Sequence, residues 1–185
     1  METVMLSGSR HISGLPPSVR ERLTELVEQG LKFLVGDAKG ADRAFQSALA
    51  RLNYPEVRVF TSLPEARVNL GGWPVQLVES GLRTKSAAMH TVKDRHMVRL
   101  ADRGLVLWDC TSTGSLANVI DLVETRKACH MWTHHDELLV AVDSPGQLVA
   151  ILDSYPGPAT AARQRLATFH NREKRQGLAE SESLF

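Results

Sequence analysis

"KFLVGDAKGADRAFQSALA", residues 32 to 50, passes from a short apolar run through a turn with two glycines and two aspartates into a helical pattern. Phe33 to Val35 reads as a buried strand. After the turn, Ala41, Ala44, Phe45, Ala48 and Leu49 recur at spacings of three and four, which draws one apolar stripe along a helix. The turn therefore sits on the carboxyl edge of a sheet, where open α/β folds place their ligands.

The same strand-then-helix alternation extends outward over most of the chain. Apolar runs at Thr3–Leu6, Phe33–Val35, Val57–Thr61, Gly104–Trp108 and Cys129–Trp132 alternate with helical patterns at Pro16–Gln29, Ala41–Leu52, Ser86–Asp102 and Ser115–Lys127. Such alternation predicts a parallel sheet with helices on both faces. Pro16 and Pro17 open the first helix and Gly30 closes it. Residues 62–85 are rich in Gly and Pro without a period, and are expected to form a long binding loop, lid or insertion. Beyond Trp132, Leu138–Val142 predicts a sixth strand, and Ser144 with Pro145 the start of a short helix. A final helix is expected over about residues 158–174, apolar through Ala162, Leu166 and Phe169 and basic opposite. The expected organisation is one domain: a nucleotide-binding core over 1–132, an extension over 133–175 packed on it, and a frayed tail at 176–185.

The 185 residues, 43% hydrophobic and 23% charged, suffice for one well-buried domain. Twenty-two Lys and Arg against 21 Asp and Glu leave a formal charge of +1, so no overall field draws the chain to nucleic acid or membrane, and nucleic acid is not the expected partner. No apolar run reaches the roughly 18 residues of a membrane span, and no basic-then-apolar leader opens the sequence, so a cytosolic location is expected. Cys110 and Cys129 lack metal-ligand spacing and are expected as reduced thiols, and the adjacent His134 and His135 lack a third ligand pattern, so no metal is expected.

Four loops on the carboxyl edge carry unusual chemistry. In "LSGSRHISG", residues 6–14, Ser7, Gly8 and Ser9 let backbone N–H groups approach a ligand, and Arg10 offers a planar donor for phosphate or carboxylate. In the second loop Gly36 and Gly40 permit a tight turn, and the helix from Ala41 directs its positive end there. Asp42 complements that helix end, whereas Asp37, just past the strand, is free to accept hydrogen bonds from a ribose or base. The spacing matches neither a P-loop nor GxGxxG. In the third, Lys93, Asp94 and Arg95 lie near a helix start within a ligand's reach, while Met97, Leu100 and Ala101 are expected to pack on the following strand. The fourth, "LWDCTSTGSLANVIDLV", residues 107–123, follows Asp109 with the hydroxyls of Thr111, Thr113 and Ser115 around Gly114 at a helix start, a phosphate-type site that is also ordinary capping chemistry.

Taken in this order, the loops resemble the SLOG superfamily, Rossmann-like nucleotide-binding domains related to the cytokinin-activating "LOG" phosphoribohydrolases and to DNA-processing protein A. "GDAKGADRAF" is similar to the G-x-[AK]-x-G-A-D-R turn of its small bacterial and phage branch. "KDRHM" and "LADRGLVLWDCTSTGSLANVI" look like that branch's Arg-x-x-Met helix, strand and phosphate loop. The resemblance spans residues 3 to about 132. It implies a Rossmann-like fold with Gly8, Ser9, Gly36, Asp37, Gly40, Ala41, Asp42, Arg95, Thr113, Gly114 and Ser115 as nucleotide contacts, and a homodimer; no cofactor is expected, the nucleotide being the ligand. Hydrolytic members carry Gly-Gly-x-Gly-Thr-x-x-Glu, and Asn118 stands here at the glutamate position. An amide is no general base, so the family's hydrolysis is not expected.

The leading expectation is thus a sensor or sequestering domain for a ribose-phosphate small molecule. A nucleotide N-glycosidic hydrolase using Asp37, Asp94 or Asp109 is the first alternative. A nucleic-acid-binding module using the basic, amphipathic "RQRLATFHNREKRQ" is the second. Trp73, in the long loop, is expected either to stack on a base or to anchor the loop.

Overall fold

A computed structural model describes residues 1–79, 87–155, 157, 160, 164, 166 and 168. Residues 80–85 of the long loop, most of the expected helix at 158–174 and the 176–185 tail lie outside them.

Strand β1 (Thr3–Gly8) leads to helix α1 (Pro17–Glu28), then β2 (Lys32–Gly36), α2 (Ala41–Arg51), β3 (Val57–Thr61) and β4 (Val75–Leu77). After α3 (Ala87–Leu100) come β5 (Arg103–Trp108), α4 (Thr113–Glu124), β6 (Cys129–Thr133), β7 (Leu138–Val142) and α5 (Pro145–Leu152). The sheet runs β4-β3-β2-β1-β5-β6-β7, parallel except where β7 lies antiparallel on β6. From β1 the chain builds outward to β4, then returns to place β5 on the other side of β1. The carboxyl ends of β1 and β5 therefore diverge into helices on opposite faces and open a crevice, the topological switch point.

Alternation along each strand explains why both faces are buried. Val4, Leu6, Phe33, Val35, Leu105 and Leu107 join a core with Val19 and Leu23 of α1 and Phe45 and Leu49 of α2. Their neighbours Met5, Leu34, Val106 and Trp108 join the opposite core with Met97 of α3, Val119 and Leu122 of α4 and Leu148 of α5. Leu166, from the C-terminal segment, is buried in this second core. Each fully buried Phe33, Phe45 or Phe60 contributes about 1.5–3 kcal/mol relative to exposure. The result is an α/β fold with a seven-stranded, mostly parallel sheet. No helix among the described residues is long and apolar enough to cross a membrane.

Helix ends follow local chemistry. Pro16 and Pro17 begin α1, and Gly30, at φ 72°, ends it by donating to the Val27 carbonyl at 2.9 Å. Ser144 caps α5, its hydroxyl accepting from Gln147 N. Two expectations give way. The long loop contributes β4, three residues paired with β3, too short and too closely flanked by glycine and proline to show a period. Leu100, expected to pack on β5, is 47% exposed, since Met97, Val98 and Ala101 fill that side of α3.

Candidate functional site

Loops after β1, β2 and β5 and the first half of α3 meet over the switch point. They enclose a cavity of about 60 Å³, lined among others by Ser7, Gly36, Asp42, Arg67 and Lys93. It opens into a groove of about 990 Å³ along Ser9, His11 and Thr111–Ser115. Gly8, Arg10, Asp94 and Asn118 line both. Of the residues singled out in the sequence, Asp37, Gly40, Ala41, Arg95 and Asp109 line neither.

The interior of the site is a stack of paired charges. Asp37, fully buried, accepts from Arg67 Nη2 at 2.7 Å, from Arg67 Nε at 3.0 Å, from the Arg67 amide at 3.1 Å and from Thr61 Oγ1 at 3.0 Å. Burial alone would raise its pKa, but the hydrogen bonds and charge of Arg67 override this and hold it below the usual carboxylate value. Its acceptor positions are taken inside the fold, so Asp37 is not the free ribose or base acceptor that its place after β2 suggests.

Asp42 does more than complement a helix end. It is buried, accepts from Ala38 N at 3.1 Å, and burial pushes its pKa up to about 6 against the pull of Lys93. A Cβ on Gly36 would collide with the Asp42 carboxylate and lie 2.6 Å from Lys93 Nζ, so glycine here lets both charges close over the strand end. Lys93 is itself buried and pairs with Asp94 at 3.1 Å. Burial would lower its pKa, yet Asp94 and Asp42 outweigh it and hold the ammonium charged.

Asp109 works as a hub. It accepts from Ser9 Oγ at 2.5 Å, from Thr111 N at 3.0 Å and from Ser112 N at 2.6 Å, and lies 3.1 Å from His11 Nδ1. Burial would raise its pKa, but these donors hold it far below the ordinary carboxylate range. A carboxylate this weakly basic makes a poor proton acceptor for catalysis. Ser9 completes the stitching: its amide donates to Leu107 O at 2.9 Å and its carbonyl accepts from Ala41 N at 3.0 Å. Gly40, at φ 80°, presses against the Arg10 backbone, leaving no room for a Cβ.

Groups open to a ligand lie at the rim. Arg10, Thr111, Thr113 and Gly114 are exposed. Ser112 caps α4 through Ser115 N, and Asn118 Nδ2 donates to Ser7 Oγ at 3.3 Å. Arg95 faces Asp121 at 3.7 Å, away from the groove. Trp73 proves to be an anchor, 7% exposed, with its indole N–H donated to the Tyr54 carbonyl at 2.8 Å. Arg67 and Gln46 escape sequence reasoning. Arg67 lies in the aperiodic 62–85 stretch, and Gln46, on α2, donates to Gly36 O and Val68 O, tying that stretch to β2. The signal for Arg67 was Asp37 itself, since a carboxylate behind a buried strand needs a cation.

No protein-family model and no curated protein matches the sequence. A solved structure of DNA processing protein A from Helicobacter pylori, described for its single-stranded DNA binding mode, matches with a TM-score of 0.54 at 13% identity. The match covers 92% of this chain and 81% of that one. This finding corrects two expectations, that the ligand is a free nucleotide-type small molecule and that nucleic acid is not the partner. The net charge of +1 weighed against nucleic acid without excluding a local patch, and the internal pairing of Asp37 and Asp94 leaves Arg10 as an exposed cation on the groove. The chain carries the Rossmann-like α/β fold that is seen in DNA processing protein A.

Proposed function

We propose that this chain is a single-stranded nucleic-acid-binding module of SLOG type, with strand phosphates lying along the groove between the β1 and β5 loops. The observation that carries the reading is the likeness, over 92% of the chain, to a protein that binds single-stranded DNA. The groove supports it chemically. Asp37, Asp94 and Asp109 are each neutralised or hydrogen-bonded within the fold, while the Arg10 guanidinium and the Thr111 and Thr113 hydroxyls stand on exposed residues as donors. The sequence adds Arg163, Arg165, Arg172, Lys174 and Arg175 near the C-terminus.

Fluorescence anisotropy with labelled oligothymidylate tests the reading. Binding at low salt that weakens as salt rises, and that a matching duplex does not equal, is the expected result. Absence of binding at low salt overturns it.

A further inference from the structure

A second groove, of about 660 Å³, adjoins the first on the α1 side, between the β1–α1 loop and the end of β6. His11 lines both grooves. Its walls are flat: the His11 ring, 84% exposed, Pro16 and Pro17 on one side, Trp132 and His134 on the other. Trp132 is 4% exposed, and its Nε1 has no acceptor among the described residues. The chain has three tryptophans, and the other two indole N–H groups are taken, Trp73 by Tyr54 O at 2.8 Å and Trp108 by Ser112 O at 3.1 Å. An indole N–H only donates, and buried donors in native proteins have partners.

We infer that this groove receives one unstacked base of the bound strand, whose ring carbonyl accepts the Trp132 Nε1 hydrogen. The inference rests on the nucleic-acid reading above. Continuity with the phosphate groove through His11 lets a strand lay its backbone in one and turn a base into the other. Flat rings and prolines suit a base face, as in other single-strand binders. The exposed His134 ring lies 5.6 Å from that of Trp132, tilted by 52°, and lines the groove beside it.

Binding of oligothymidylate is compared with that of the same oligomer carrying difluorotoluene, an isostere whose fluorines replace the carbonyls. The unmutated protein prefers thymine by about three- to tenfold, the worth of one neutral hydrogen bond. Trp132→Phe keeps a ring in place and binds both oligomers alike. Independently of that variant, one indole N–H resonance of the three moves on adding the thymine oligomer and stays with the isostere. Equal affinity of the unmutated protein for both oligomers, a preference that survives in Trp132→Phe, or an unmoved resonance overturns the base pocket while leaving the nucleic-acid reading intact. Failure to bind either oligomer overturns both.

Discussion

At the scale of single residues, the site depends on charges that neutralise one another before any ligand arrives. Removing Arg67 leaves Asp37 buried without its cation, a loss of about 3 kcal/mol at the low end for a broken buried pair, because Arg67 itself is a third exposed. Urea unfolding of Arg67→Ala measures it, and Asp37→Asn, which strands the partly exposed Arg67 instead of a fully buried carboxylate, costs less. Asp42 has the opposite sign. Its folded pKa, about 6, stands above the ordinary 3.8, so the folded state binds the proton more tightly, and the group's destabilising effect grows from pH 4 to pH 6 and is complete above that. The stability difference between the parent and Asp42→Asn should therefore change by about 2–3 kcal/mol across that window, the parent gaining as pH falls. A difference independent of pH would show that the Asp42 pKa is the same in the folded and unfolded states. Neither behaviour was legible in "GDAKGADR": the turn names both aspartates, but the partners that decide their roles, Arg67 and Lys93, are 30 and 51 positions away from them in the chain.

At the scale of elements, local sequence reported strands and helices well where apolar period and start signals are both local. Ser144 with Pro145 and Pro16 with Pro17 mark helix starts that need no tertiary information. Ser112 is the cap that also shapes the groove, since its hydroxyl accepts from Ser115 N at 3.3 Å and sits 2.9 Å from Ser115 Oγ. Ser112→Ala is expected to cost about 1 kcal/mol in thermal or urea unfolding. What sequence could not show was β4, which exists only because β3 offers an edge and the loop before it is pinned. Gln46 accepts from Leu70 N, Asn69 holds both backbone groups of Trp73, and the Trp73 ring is buried in the core with Phe33. Trp73→Ala empties that anchor and should cost about 3–5 kcal/mol, with DNA affinity of the folded fraction unchanged. A loss of affinity without loss of stability would instead return Trp73 to the binding surface.

At the scale of the whole molecule, charge is a property of places and not of sums. A balance of 22 basic against 21 acidic residues hides the fact that several acids near the switch point are matched inside the fold, whereas Arg10 faces the groove. Association with a single strand releases counterions only for the phosphates actually neutralised, giving a salt slope of about −0.7 per contact. Arg10→Ala should therefore reduce the magnitude of the log–log salt slope by about 0.7 and weaken binding to all sequences alike, because a phosphate contact positions without reading bases. Replacing Arg172, Lys174 and Arg175 together by alanine tests whether the basic C-terminal segment shares the strand. A further fall in slope, of up to about 2 if all three meet phosphates, places the segment on the strand, while an unchanged slope confines binding to the groove. The two sets of variants thus separate what the fold presents at its switch point from what the sequence carries beyond it, a distinction that net charge conceals.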